Sequence, residues 1–198
     1  GKRGANVTSD YVLVYQGKKL AAVEAKKEEL SYTEGVRQAK DYATRLQCRI
    51  AYATNGHEIY QIDMKTGEAS LVDKFMSPQE LWALTFDAQE PDFATTWRQR
   101  FADVPYETKG GSWTARYYQE NAINNALESI AKGEPKVLLT LATGTGKTFI
   151  GFQLAWKLFH SRWSLSAQKT PAQAKRRPRI LFLADRNILA DQAFNSFS

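Results

Sequence analysis

The stretch Val137–Thr148, read as VLLTLATGTGKT, constrains the fold of this chain more than any other. An apolar, partly β-branched run (Val137, Leu138, Leu139, Thr140, Leu141) stops at Thr143-Gly144-Thr145-Gly146-Lys147-Thr148. The apolar segment Phe149–Trp156 follows and reads as a helix. The predicted order is buried strand, glycine loop, helix, the setting that a phosphate-binding loop requires. A triphosphate needs several backbone N–H groups aimed at it, together with the positive end of a helix. Glycine lets the backbone come close and take unusual dihedrals. Lys147 then reaches the β- and γ-phosphates, and the Thr148 hydroxyl reaches the accompanying Mg²⁺. ATP with Mg²⁺ is the expected ligand of Thr143, Gly144, Thr145, Gly146, Lys147 and Thr148. One position departs from the strict pattern: Leu141 stands where its first glycine would be.

A chain of 198 residues forms one large domain or two small ones. Hydrophobic residues make up 43% of it and include five tryptophans, enough for a real core. Lys and Arg number 27 against 21 Asp and Glu, a net charge of +6 that fits a polyanionic partner. Cys48 is the single cysteine, so no internal disulfide can form and a reducing cytoplasm is the expected location. No apolar run has the length of a membrane span, and the start has no secretory pattern. Gly1–Asn6 reads like the middle of a loop, and no DExx-type run follows Thr148 to supply a carboxylate for Mg²⁺. The expectation is a piece of a longer protein.

The first hundred residues carry a second constellation. Asp10–Gln16 (DYVLVYQ) and Leu20–Lys26 (LAAVEAK) read as strands around the turn Gly17-Lys18-Lys19. Glu24 and Lys26 leave the same face of their strand. Asp10 stands where the first strand starts. This D…ExK pattern resembles the core of the PD-(D/E)xK nucleases. Hydrolysis of a phosphodiester needs a divalent metal to hold the phosphate and acidify a water. Asp10 and Glu24 offer hard oxygen ligands, and the Ala25 carbonyl could add another. Lys26 would orient or help deprotonate the attacking water and balance developing charge. Ser31–Gln47 reads as a helix, with Ser31 and Glu34 as a capping box and Val36, Ala39, Ala43 and Leu46 as its apolar stripe. Gln38 and Tyr42 share a face of that helix. D…ExK followed by QxxxY is similar to the branch holding the RecB family and the R subunits of type I restriction enzymes. There the glutamine and tyrosine lie near the catalytic strand and help place DNA or the active-site groups.

Further along, Arg49–Thr54 reads as a strand ended by the turn Asn55-Gly56, and Glu58–Ile62 with Glu68–Val72 as a hairpin. The segment ATNGHEIYQID also resembles the R subunits. His57 has no ligand-spaced partners. Ser77-Pro78-Gln79-Glu80 starts a helix with a capping box, Leu81, Trp82, Leu84 and Phe86 packing inward. Thr95–Phe101 is a short helix, and Asp103–Ser112, with Pro105 and Gly110-Gly111, the expected linker. The helix over Trp113–Ala131 opens with Arg116-Tyr117-Tyr118-Gln119, similar to the Q motif of superfamily 2 motors. The Gln119 amide would then read the adenine edge, with Tyr117 or Trp113 stacking on the base. Ser164–Arg179 is predicted to be a mobile solvated loop bearing Lys175-Arg176-Arg177. Ile180–Ala184 is predicted to be a second buried parallel strand, leading through Asp185-Arg186-Asn187 into a helix over Ile188–Phe197. LADRN resembles motif Ia of the same R subunits, and there it lies along the DNA track.

Taken in order, these pieces resemble the N-terminal part of the R (restriction and motor) subunit of type I restriction–modification enzymes. The resemblance implies an α/β architecture: a PD-(D/E)xK domain over residues 1–104, a linker over 105–112, and the opening of a RecA-like superfamily 2 motor domain over 113–198. It also implies an ATP-driven translocase that pumps and cuts duplex DNA, with recognition and methylation left to partner S and M subunits. The implied catalytic set is Asp10, Glu24, Lys26, Gln38 and Tyr42, with metal at Asp10 and Glu24. The rival expectations are a superfamily 2 translocase whose first domain only binds DNA or partners, and an assembly module without chemistry.

Overall fold

The structure, a computed structural model, describes residues 9–86 and 91–183. Gln16 and Gly17 both take positive φ (47° and 71°), which turns the chain between β1 (Tyr11–Tyr15) and β2 (Lys18–Ala25). These pair antiparallel, with an irregularity between Leu13 and Val14. Helix α1 (Thr33–Leu46) crosses over to β3 (Ile50–Thr54), which lies parallel to β2. A parallel pair needs such a crossover. β4 (Ile59–Asp63) and β5 (Ala69–Val72) then add antiparallel, giving the order β1-β2-β3-β4-β5.

Alternation along the strands divides the core in two. On one face Ala22, Ala51, Ala53 and Ile62 meet Ala39, Tyr42 and Ala43 of α1. On the other, Leu20, Val23, Ile50 and Tyr52 meet Leu81 of α2 (Pro78–Thr85). The expected capping box of α2 is present: the Ser77 hydroxyl accepts from Glu80 N, and the Glu80 carboxylate accepts from Ser77 N. That of α1 is not. Its N-cap is Tyr32, stacked on Tyr60 at 5.1 Å, and Ser31 Oγ instead accepts from Thr33 N. The aromatic contact sets the entry of the chain and moves the helix start past Ser31.

Arg49 forks onto Asp63 across the β3–β4 pair, Nε–Oδ1 and Nη2–Oδ2 both at 2.7 Å. Asp63 also accepts from Lys65 N and Thr66 N in the turn. The Arg49 hydrogen bonds, ahead of the other causes, lower the Asp63 pKa to about 2.

The compact division of the chain falls between Gln89 and Glu90, earlier than the expected linker. The reason lies in α3 (Asp92–Asp103), which is longer than expected. Its Trp97 and Phe101 share a core with Ile123 and Leu127 of α4 (Tyr117–Ala131) and Ile150 of α5 (Lys147–His160). Arg98, buried, pairs with Glu128 at 2.5 Å. Buried Lys157 donates to the carbonyls of Phe101 and Val104 at the end of α3. The stretch 105–112 is itself tied in: the Gln153 amide accepts from Glu107 N (3.1 Å) and donates to Glu107 O (2.7 Å).

Two expected strands are not formed. Val137–Leu141 and Ile180–Leu183 are extended without strand pairing, Leu138 and Leu183 being 89% and 81% exposed. A strand exists only through its neighbours, and among the described residues of this unit there is none to pair with. Ala184 and the LADRN helix lie outside the described residues. Residues 164–179 are more anchored than a free loop. Two 3₁₀ turns, Leu165–Ala167 and Pro171–Gln173, bury Ala167 and Ala174, and Trp97 Nε1 donates to Gln168 O at 2.7 Å. The mixed α/β class holds in the first unit, whereas the second is helical among its described residues.

Asp63 has its pKa lowered on folding, so the pair contributes stability above the unfolded value of about 4 that is lost as pH falls through about 2. We expect Asp63→Asn to lower stability by roughly 1–2 kcal/mol at pH 7. Denaturant titrations should show the gap to wild type closing between about pH 4 and 2.

Candidate active site and nucleotide loop

The end of β2 and the first turns of α1 bring the D…ExK and QxxxY residues together. Lys26 lies just past β2, where its backbone N–H donates to Thr54 O at 2.8 Å and so continues the register with β3. Its ammonium donates to Glu24 Oε1 at 2.8 Å and to Gln38 Oε1. The hydrogen bond to Glu24 leads the causes that raise the Lys26 pKa, with burial opposing it. Glu24 is 4% exposed, and its second oxygen, Oε2, is buried without a hydrogen-bond partner. Asp10 sits at the mouth, exposed, with Oδ2 accepting from Ala25 N at 2.8 Å. Tyr42 is 6% exposed in the core beneath α1. Its pKa is raised by burial first and then by the charges of Glu24 and Asp10.

An orphaned, buried carboxylate oxygen is costly unless something cationic meets it. Glu24 Oε2 therefore fits a metal ligand. Among the described residues no cluster of three His, Cys, Asp or Glu side chains could hold an ion. Two carboxylates suit Mg²⁺, which commonly keeps waters and substrate phosphate oxygens in its remaining positions.

Three residues near the site carry more than the sequence reading assigned to them. Asn55, expected only as a turn residue, accepts from His57 N and Glu58 N and donates to Leu30 O at 3.0 Å. It thus pins the segment that follows Lys26. His57 meets Glu28 at 2.5 Å, both well exposed. Gly35 is buried in α1 against Glu24 and Lys26. No motif marks it; its signal is a glycine inside a helical pattern, one turn before an alanine stripe.

In the second unit the glycine loop runs from Thr143 into α5, whose N-cap is Gly146 at φ 83°. Glycine suits this position in two ways. Its φ is left-handed, and a Cβ there, 2.5 Å from Gln119 Nε2, would displace the end of the Gln119 side chain. Gln119 is 8% exposed, its Oε1 accepting from Arg116 N and its Nε2 donating to Thr145 O, each at 2.9 Å. Gln119 therefore braces the loop from the start of α4. Thr145 Oγ1 donates to Ala142 O at 2.7 Å. Lys147 Nζ donates to the carbonyls of Leu141 (3.3 Å) and Ala142 (3.1 Å). Thr143 and Gly144 are exposed on the loop, and Thr148 follows in the first turn of α5. Of the two candidate stacking rings, Tyr117 is 52% exposed, while Trp113 is packed edge-on against Phe149 and Phe152.

Comparison with known proteins gives a consistent set. The family of the type III restriction enzyme res subunit (ResIII) matches residues 112–198. The chain is 35% identical, over 96% of its length, to the type I restriction enzyme EcoAI endonuclease subunit of Escherichia coli. It is 32% identical, over 77% of its length, to the EcoKI endonuclease subunit of Escherichia coli strain K12. A solved fragment described as an HsdR subunit of a type I restriction enzyme from Vibrio vulnificus YJ016 superposes on 81% of the chain, with TM-score 0.66 and 38% identity. The chain spans 22% and 12% of the two Escherichia coli subunits and 28% of the Vibrio chain.

Replacing Gln119 by Ala removes the brace on Thr145 and leaves Arg116 N without its acceptor. We expect about tenfold weaker ATP binding, near 1.4 kcal/mol, by fluorescent-nucleotide titration. An unchanged affinity would show that the brace does not shape the loop for nucleotide.

Proposed function

The chain is a homologue of type I restriction enzyme endonuclease (R) subunits, and on that premise we propose that it provides their nuclease site and nucleotide loop: a PD-(D/E)xK-type domain followed by the opening of a RecA-like motor. In this reading the whole protein is an ATP-dependent translocase and Mg²⁺-dependent endonuclease. Its substrate is unmethylated foreign duplex DNA, it acts with M and S subunits, and its setting is the cytoplasm. No helix among the described residues is long and apolar enough to cross a membrane.

The observation that carries the nuclease reading is the Lys26 ammonium, bound at once to Glu24 of the strand motif and Gln38 of the helix motif. A chance acid-x-lysine pair on a solvated strand would have no reason to bury its carboxylate and join its ammonium to a third polar group from a helix. Asp10 and Glu24 would hold the Mg²⁺, with Glu24 Oε2 as the unpaired ligand. When bound, the ion supplies phosphate polarisation and a water of lowered pKa. Lys26 holds and orients a water or scissile-phosphate oxygen through its ammonium. Gln38 keeps Lys26 in position, and Tyr42 supports both from the core. In the second unit Lys147 and Thr148 serve the triphosphate and its Mg²⁺, the loop N–H groups face the phosphates, and Gln119 links the loop to the base-reading helix.

One observation favours the rival, a translocase whose first domain binds DNA or partners without cutting. The site offers two carboxylates rather than a three-residue metal cluster among the described residues.

Substitutions in the full-length subunit separate the readings. Lys26→Ala should lower DNA cleavage by a hundredfold or more and spare ATP hydrolysis. Lys147→Ala should abolish ATP hydrolysis and translocation-dependent cleavage with it. Calorimetry should show Mn²⁺ binding to the nucleotide-free protein that is lost in Glu24→Ala. Full cleavage by the Lys26 variant would leave the binding-only reading.

A further inference from the structure

We propose that Gly35 is a positioning residue of the nuclease site, its missing side chain allowing α1 to hold Gln38 against Lys26 and Glu24. The inference rests on the nuclease reading given above.

Gly35, Ala39 and Ala43 follow one another at helical spacing along the buried face of α1. Ala39 and Ala43 are 0% exposed and share their core with Ala22, Ala51 and Ala53 of the sheet, alongside Ile62 and Tyr42. The small alanine side chains let helix and sheet pack closely and leave little slack there. Toward the start of α1 the opposing groups grow larger, to Glu24 and Lys26. The helix residue shrinks correspondingly, to glycine. A Cβ at position 35 would stand 3.2 Å from Glu24 Cγ, 3.4 Å from Lys26 Cγ and 3.5 Å from Lys26 Cε.

Something would then have to yield by a few tenths of an ångström. The helix cannot retreat without opening the alanine contacts behind it. The yielding groups are therefore Glu24 and Lys26, which are joined to each other at 2.8 Å. Glu24 Oε2, the unpaired oxygen, moves with them. Catalytic constellations have to be held within roughly half an ångström, and a few tenths at Glu24 Cγ, carried out to its carboxylate, uses most of that margin. Local helix preference runs the other way, because alanine is the better helix former and glycine has more freedom to lose on folding. Helix preference alone gives no reason for glycine at this position; the room it leaves beside Glu24 and Lys26 does.

The test uses the full-length subunit in its complex, comparing wild type with Gly35→Ala, Lys26→Ala and Lys40→Gly. Lys40 is exposed on α1, so Lys40→Gly weakens the same helix without touching the sheet, Glu24 or Lys26. Readouts are plasmid cleavage (kcat and KM for DNA), ATP hydrolysis, melting temperature and Mn²⁺ affinity by calorimetry. For Gly35→Ala we expect kcat for cleavage to fall at least tenfold. KM for DNA should stay within about twofold, ATP hydrolysis should be unchanged and Mn²⁺ binding several-fold weaker. Its melting temperature should not fall below that of Lys40→Gly. The inference is overturned if Gly35→Ala cleaves within twofold of wild type while Lys26→Ala is dead. It is equally overturned if Lys40→Gly loses cleavage to the same degree. Normal cleavage by Lys26→Ala would instead remove the nuclease reading itself.

Discussion

The cluster of Glu24, Lys26 and Gln38 depends on how closely α1 lies on the sheet. Ala39 and Ala43 share a buried core with Ala22, Ala51 and Ala53. That distance fixes where Gln38 comes down, and so whether it can reach the Lys26 ammonium at the end of β2. A bulkier interface would lift the helix and break the link between the two motifs. The apolar contact is thus the foundation, and the polar cluster of Glu24, Lys26 and Gln38 is built at its open end, where Asp10 is exposed. Glu24 Oε2 is buried in that cluster without a hydrogen-bond partner, a position that fits a cation.

The second unit reaches a similar result by a different route. Its glycine loop is shaped less by its own residues than by Gln119, which spans from Arg116 N to Thr145 O. The absence of a side chain at Gly146 admits that amide. In both units a glycine marks a close approach to a polar side chain: a Cβ would stand 3.2 Å from Glu24 Cγ at Gly35 and 2.5 Å from Gln119 Nε2 at Gly146. Around the loop, aromatic and charged contacts hold α3, α4 and α5 together, with Lys157 closing the carbonyl end of α3 from inside the core.

Much of the fold was readable in advance. Turn residues and alternation marked the hairpins, and spacing put Glu24 with Lys26 and Gln38 with Tyr42. The Ser77 box formed as written because all of its parts are local. The Ser31 box did not, because Tyr32 found a better contact on Tyr60, far along the chain. The same distinction explains α3. Its own pattern predicted only a short helix, and its packing partners, Ile123 and Leu127, could not be named from spacing. The apolar runs at 137–141 and 180–183 carry a strand pattern, but a ladder needs neighbours that no local pattern supplies.

By itself, then, the sequence determined which polar groups fall on a common face or loop. Carboxylate, lysine, glutamine and glycine-loop spacings are local, and local spacing decides which groups share a face. Only the tertiary structure decided how those groups engage: Lys26 bridging strand and helix, Gln119 bracing the phosphate loop, Asn55 pinning the segment after Lys26, and Gly35 opening room for Glu24. Each of these is a contact between elements distant along the chain, set by packing distances that periodicity and composition do not contain.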